Sequence, residues 1–195
     1  MWDLADLAMD LIEFSKSIAM EAGNILMEHF GNISSFDHKT TDIDLVTIAD
    51  TKSEAYIIDR IKATFPEHHI IAEESDLQDK NSDFRWVIDP LDGTTNFVHN
   101  LPIFAVSIAL LKNNQVICAV VYNPAVNKCF YAEKNKGSFL NGKKINITSC
   151  ITLSDSLLAT GFPYIHDERF MLSFEIFKDF YQSTRGIRRL GAAAL

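Results

Sequence analysis

WVIDPLDGTTNF, residues 86–97, is the stretch from which the rest of this chain is read. Trp86, Val87 and Ile88 favour a strand, which would deliver Asp89 at its C-terminal end. Pro90 fixes its own φ and withholds an N–H, so it turns the chain. Asp92 follows two residues after Pro90, so both carboxylates can converge on one point. Gly93-Thr94-Thr95 then offers backbone N–H groups at the opening of a helix, plus two hydroxyls. Hard carboxylate oxygens beside free amides suit Mg²⁺ together with a phosphate. The same residues also read as a strand followed by an Asp-Gly turn capped by Thr, because turns are rich in these residues.

Outward from that stretch lie two further acidic groups. Ile70-Ile71-Ala72-Glu73-Glu74-Ser75 again ends an apolar run in carboxylates, although alone it reads as a solvated loop. Asp42-Ile43-Asp44-Leu45-Val46-Thr47, with Lys39 upstream, alone reads as a capped turn before a helix. Three acid clusters, each at the edge of an apolar element, point to one shared polynuclear metal site.

Hydrophobic periodicity supplies the frame. Leu4, Leu7, Ala8, Leu11, Ile18, Ala22, Ile25 and Leu26 recur at helical spacing and end at Gly31-Asn32. Residues 32–50 are polar and poorly periodic. Thr47–Phe65 predicts a second helix, capped by Thr47 or Asp50 and stopped by Pro66. Strands are predicted at His69–Ala72, Arg85–Ile88, Ala105–Lys112, Gln115–Tyr122, Lys128–Glu133 and Ser138–Ile145, with hairpin turns at Asn113-Asn114 and Asn141-Gly142. Leu157–Thr160 and Gly186–Leu190 read as short strands around a helix at Asp167–Tyr181. The order of helices, then strands, then alternation indicates an α+β layer architecture. Gly191–Leu195 looks like the first turn of another helix. Phe170, Phe174, Phe177 and Phe180 fall on one helix face, as expected of a core or dimer contact.

Composition narrows the function classes. The 195 residues carry 18 Lys plus Arg against 26 Asp plus Glu, a net charge of −8, and 47% are hydrophobic. A chain of this size can bury roughly 70% of its unfolded surface. The acidic balance argues against a general nucleic-acid or anionic-membrane binder. Three Cys without a CxxC pair argue against a disulfide scaffold or a cysteine zinc site. The N-terminus is acidic where a signal peptide needs bases, and no apolar run approaches the ~20 residues of a membrane span. A cytoplasmic enzyme or binding protein is expected.

DLVTIAD at 44–50, IAEES at 71–75, WVIDPLDGTTNFVHNLP at 86–102 and RRLGAAAL at 188–195 carry a resemblance that spans all 195 residues. The chain resembles the inositol monophosphatase family of Mg²⁺-dependent, lithium-sensitive phosphatases. The resemblance implies a layered α-β-α-β-α sugar-phosphatase fold. Residues 1–195 would form one such domain: a helix-plus-antiparallel-sheet half over about 1–150, then the start of a second α/β half over about 151–195. Family members continue past RRLGAAAL to a WDxAAG-type segment that supplies a further metal ligand, so that second half is expected to be incomplete.

The resemblance also implies roles. Glu73 and Asp89, with the Leu91 carbonyl, would hold one Mg²⁺; Asp89 and Asp92 would hold a second, and Glu73 would help hold a third through water. Thr94 and Asp44 would orient and deprotonate the attacking water. Gly93, Thr94 and Thr95 would cradle the phosphate. Asp92, Gly191 and Ala193 would lie near the sugar or inositol ring, and Lys39 near the entrance. The implied reaction is hydrolysis of a small phosphorylated polyol or sugar, foremost myo-inositol 1-phosphate, by a homodimer. Fructose 1,6-bisphosphate, histidinol phosphate and 3′-phosphonucleotides are alternative substrates, and a non-catalytic regulatory role is the alternative from another class.

Overall fold

The computed structural model describes residues 4–31, 37–38, 45–46, 48–73, 80–162 and 168–195. Two long helices, α1 (Leu4–His29) and α2 (Ile48–Thr64), lie on one face of a seven-stranded sheet. Its strands are β3 (His69–Ala72), β4 (Phe84–Asp92), β5 (Ala105–Lys112), β6 (Gln115–Asn123), β7 (Lys128–Glu133), β8 (Gly137–Leu140) and β9 (Lys143–Ile145), in that spatial order. Only β3 and β4 are parallel; every other neighbour in this sheet is antiparallel. Between α1 and α2, β1 (Asp37–His38) pairs with β2 (Leu45–Val46), two short strands within a segment whose sequence shows no period. A five-residue helix, α3 (Thr94–Val98), follows β4. β10 (Leu157–Ala159) and β11 (Gly186–Arg188) form a separate parallel pair, connected through α4 (Glu168–Ser183). The architecture is α+β, in layers.

The core sits between α1, α2 and the sheet. Leu11, Ile18, Ala22 and Leu26 bury one stripe of α1, and Ile57, Ile58 and Ile61 bury one of α2. They pack on Trp86, Ile88, Ile108, Leu110 and Val120 from the central strands. Each such Leu, Ile or Val side chain contributes roughly 1.5–3 kcal/mol on burial. Gly23 lets α1 approach β6: a Cβ there would lie 2.6 Å from the Tyr122 ring. Gly31, at φ 84°, ends α1 in the left-handed conformation of a helix C-terminus. Both hairpin turns have two residues at positive φ, Asn113-Asn114 and Asn141-Gly142, as type I′ geometry requires.

Three expectations change. β4 runs past Ile88 through both acids to Asp92. Gly191–Leu195 is a turn, not a helix. The aromatic face of α4 is not buried within the chain: Phe174 and Phe180 are 46% and 40% exposed. Phe162, Ile176, Phe177 and Phe180 instead line a cavity of about 350 Å³ with Leu158 and Ile187 of the β10–β11 pair. The start expected for that helix at Asp167 lies outside the described residues, as do the side chains of Leu4, Leu7 and Ala8. No helix among the described residues is long and apolar enough to cross a membrane.

Candidate metal and phosphate site

The site begins with an irregularity in β4. Pro90 has no N–H for the ladder, and the register with β5 shifts there: Asp89 opposes Ser107, whereas Asp92 opposes Ala105. In a regular strand residues three apart point to opposite faces. Here their partners are two apart, so the extra residue puts Asp89 and Asp92 on the same face of the sheet. Trp86, Ile88 and Leu91, all 3% exposed or less, anchor the strand from the other side.

Glu73 joins them from the end of β3, whose Ala72 pairs with Ile88. Burial, then the charges of Glu73 and Asp92, push the Asp89 carboxyl up to about 8. Glu73 is also hydrogen-bonded to Asp89, while the Leu91 N–H donates to Asp89 Oδ1 at 3.1 Å. Carboxylates that resist ionising together form a hard-oxygen donor set that a divalent cation would relieve. Mg²⁺ therefore fits Glu73, Asp89 and Asp92 in chemistry. No group of three or more His, Cys, Asp or Glu among the described residues stands as a ready-formed metal cage. The Leu91 carbonyl accepts the Thr94 hydroxyl at 3.0 Å, which occupies one of its two lone pairs.

Gly93 caps α3 at φ 93° and ψ 35°, a conformation that favours glycine. A Cβ there would lie 2.9 Å from the Ile103 carbonyl oxygen and 3.1 Å from Ala192 Cβ. Gly93 and Thr94 are half-buried beside the acids; Thr95 is exposed.

The 191–195 segment reaches the same point. The Ala193 N–H donates to Asp92 Oδ1 at 2.9 Å and the Ala194 N–H to Asp92 Oδ2 at 2.7 Å. Gly191, at φ 78°, turns the chain so that these amides face Asp92. Asn96, 8% exposed, donates to the Ile103 carbonyl at 2.7 Å and to the Leu190 carbonyl at 2.8 Å. Sequence reading assigned roles to Gly191 and Ala193 but passed over Asn96 and Ala194.

Asp44, Lys39 and Glu74 lie outside the described residues. The described neighbour of Asp44 in the 44–50 segment, the β2 backbone at Leu45–Val46, lies against α3. The buried acid of that segment is Asp50, in the first turn of α2 and 2% exposed. Three residues further along the same helix face, the Ser53 hydroxyl donates to the Pro90 carbonyl at 3.2 Å. A signal existed: Asp50, Ser53 and Glu54 continue the i, i+3, i+4 series of Ile57, Ile58 and Ile61, which places acids on an apolar face.

Arg185 pairs with Asp155 at 2.8 Å. All three cysteines are free thiols, with Cys118 and Cys129 buried.

A strand of the sheet that breaks to align two acids, followed by a glycine-capped helix, frames the candidate site. The chain belongs to the inositol monophosphatase family, whose sequence profile matches residues 8–195. It is 37% identical over 187 residues to the fructose-1,6-bisphosphatase/inositol-1-monophosphatase of Thermotoga maritima, covering 96% of this chain and 70% of that protein. It is equally 37% identical to the Nus factor SuhB of Escherichia coli, over 95% of this chain and 70% of that one. The crystal structure of the extragenic suppressor protein suhB from Bartonella henselae superposes with a TM-score of 0.89 at 33% identity, over 95% of this chain and 72% of that chain.

Proposed function

We propose that this protein hydrolyses small phosphate monoesters with Mg²⁺, foremost myo-inositol 1-phosphate. Fructose 1,6-bisphosphate is the next candidate substrate, because the Thermotoga maritima relative carries both names. The observation that carries the reading is the break in β4 that puts Asp89 and Asp92 on one face of the sheet, with Glu73 hydrogen-bonded to Asp89. Cations held there supply Lewis acidity and neutralise charge that develops on the transferring phosphoryl group. Asp89 and Glu73 hold the cation, and Asp92 holds both a cation and the substrate end of the 191–195 segment. First-turn amides of α3 have no acceptor within their own helix, which suits Gly93 and Thr94 to phosphate oxygens, with Thr95 at the exposed rim. Thr94 and an acid of the 44–50 segment orient and deprotonate water; Asp44 and the buried Asp50 are the two candidates. The protein works in the cytoplasm as a homodimer, a reading supported by its free thiols and family.

The test is phosphate release from myo-inositol 1-phosphate against Mg²⁺ concentration. Asp92→Asn and Glu73→Gln are expected to abolish turnover while leaving the circular dichroism of the fold unchanged. Asp50→Asn is expected to cost about 10²-fold or more, and more than Asp44→Asn. Near wild-type rates in Asp92→Asn would remove the site assignment. A second reading, a regulatory partner in transcription, is favoured by the name Nus factor on the Escherichia coli relative. It predicts a cellular phenotype that survives Asp92→Asn.

A further inference from the structure

Residues 93, 96, 103 and 190–192 close a ring of contacts around the site. The Ile103 carbonyl lies against Gly93 and accepts from Asn96. The other amide hydrogen of Asn96 reaches the Leu190 carbonyl. Gly191 follows, its Cα face against the Asn96 carboxamide, where a Cβ would lie 3.0 Å from both Nδ2 and Oδ1. Ala192, 8% exposed, returns the chain to Gly93. Both partners of Asn96 are carbonyls, so only an NH₂ group can satisfy the two at once. Beyond this ring the chain makes its two hydrogen bonds to the oxygens of Asp92.

We propose that Asn96 is a positioning residue for Asp92: by tying the Ile103 and Leu190 carbonyls together, it holds the Ala193 and Ala194 amides on the Asp92 carboxylate and so fixes the direction in which that carboxylate meets a cation. The inference rests on the metal reading above for its last step, and on hydrogen bonds for the rest. Each Asp92 oxygen accepts one backbone N–H and keeps a lone pair for a cation. A ligand held by such outer partners commonly loses 10–100-fold in metal affinity when they are removed. Asn96 does not itself touch Asp92; it acts through five residues of backbone at the far end of the sequence.

Two variants break the ring from opposite sides. Asn96→Leu keeps the volume and removes both donors. Gly191→Ala pushes a Cβ into the carboxamide and strains the left-handed backbone. In each, amide hydrogen exchange at Ala193 and Ala194 is expected to quicken several-fold, while the β5 and β6 amides keep their protection and report that the sheet is folded. Mg²⁺ affinity, read by calorimetry, is expected to weaken about tenfold. The rate at saturating Mg²⁺ should fall far less than the rate at limiting Mg²⁺, a split that general destabilisation would not produce. The double variant should be little worse than the worse single, because both act on one contact. Unchanged exchange at Ala193 and Ala194 in both variants overturns the proposal, as does faster exchange with wild-type Mg²⁺ affinity. If the wild-type protein takes up no Mg²⁺, the metal reading fails, and the exchange arm alone decides whether Asn96 holds the segment on Asp92.

Discussion

Asp89 shows how one residue couples the site to folding. Unfolded, an Asp ionises near 3.9; folded, this one titrates near 8 because it is buried beside Glu73 and Asp92. Between those values the native state holds a proton that the unfolded chain has released. Stability in the absence of metal therefore falls as pH rises through that window, and the loss is complete above about 8. A bound cation favours the ionised form and reverses the sign. The expected result is a metal-free thermal midpoint that declines from pH 5 to 8, and a rise on adding Mg²⁺ at pH 8. Asp89→Asn should flatten both. A metal-free midpoint that does not fall over this range in the wild-type protein would show that the three carboxylates do not repel one another as described. Asp50 illustrates how a buried acid escapes a reading of sequence. A carboxylate on an apolar stripe is rare because burying one is costly. DLVTIAD offers two acids, and the one nearer the apolar run draws attention away from the one on the helix face.

At the scale of elements, local chemistry and distant chemistry divide cleanly. β5, β7 and both hairpin turns follow from period-two patterning and from Asn-Asn and Asn-Gly, which need no knowledge of the rest of the chain. The length of β4 does not: a proline and two acids read as the end of a strand, and only pairing with β3 and β5 keeps them in the sheet. The pairing of β1 with β2 is likewise set by tertiary context, two residues on each side being too few to carry a period. The seat of α1 on β6 is a further contact of this kind. Gly23→Ala improves intrinsic helix propensity by about 1 kcal/mol. Its Cβ would nevertheless lie 2.6 Å from Tyr122, so the variant is expected to be net destabilised by about 1–3 kcal/mol in urea titration. A variant as stable as wild type would mean that the Tyr122 ring moves aside freely.

Over the whole molecule, the fold class and the layer order are visible in the succession of periods, and the acids of the site are visible as residue types. The way the 190–194 segment is held against Asp92 is not, because it depends on contacts such as Asn96 to Leu190, separated by 94 residues. The exposed aromatic face of α4 marks the limit of reasoning from periodicity: spacing shows which residues share a face, not what covers it. Phe174, Ile176 and Phe180 are each at least 40% exposed, and Ile176 and Phe180 line the cavity shared with β10 and β11. The purified chain is expected to bind an anilinonaphthalene dye there, with fluorescence reduced by Phe177→Ser and unaffected by Asp92→Asn. Equal fluorescence in all three proteins would place the dye elsewhere.

The bonds from Ala193 and Ala194 to Asp92 span 101 and 102 residues. Closing a loop of that length is slow compared with forming the β5–β6 hairpin, whose turn is two residues long. On a ribosome the antiparallel strands can pair as they emerge, yet Asp92 must wait for about a hundred further residues to be synthesised, roughly 5–20 s at the usual pace. The last strand of the sheet ends at Ile145, so over about the last fifty residues of that interval the nascent chain can carry a paired sheet while Asp92 still lacks its two amide partners.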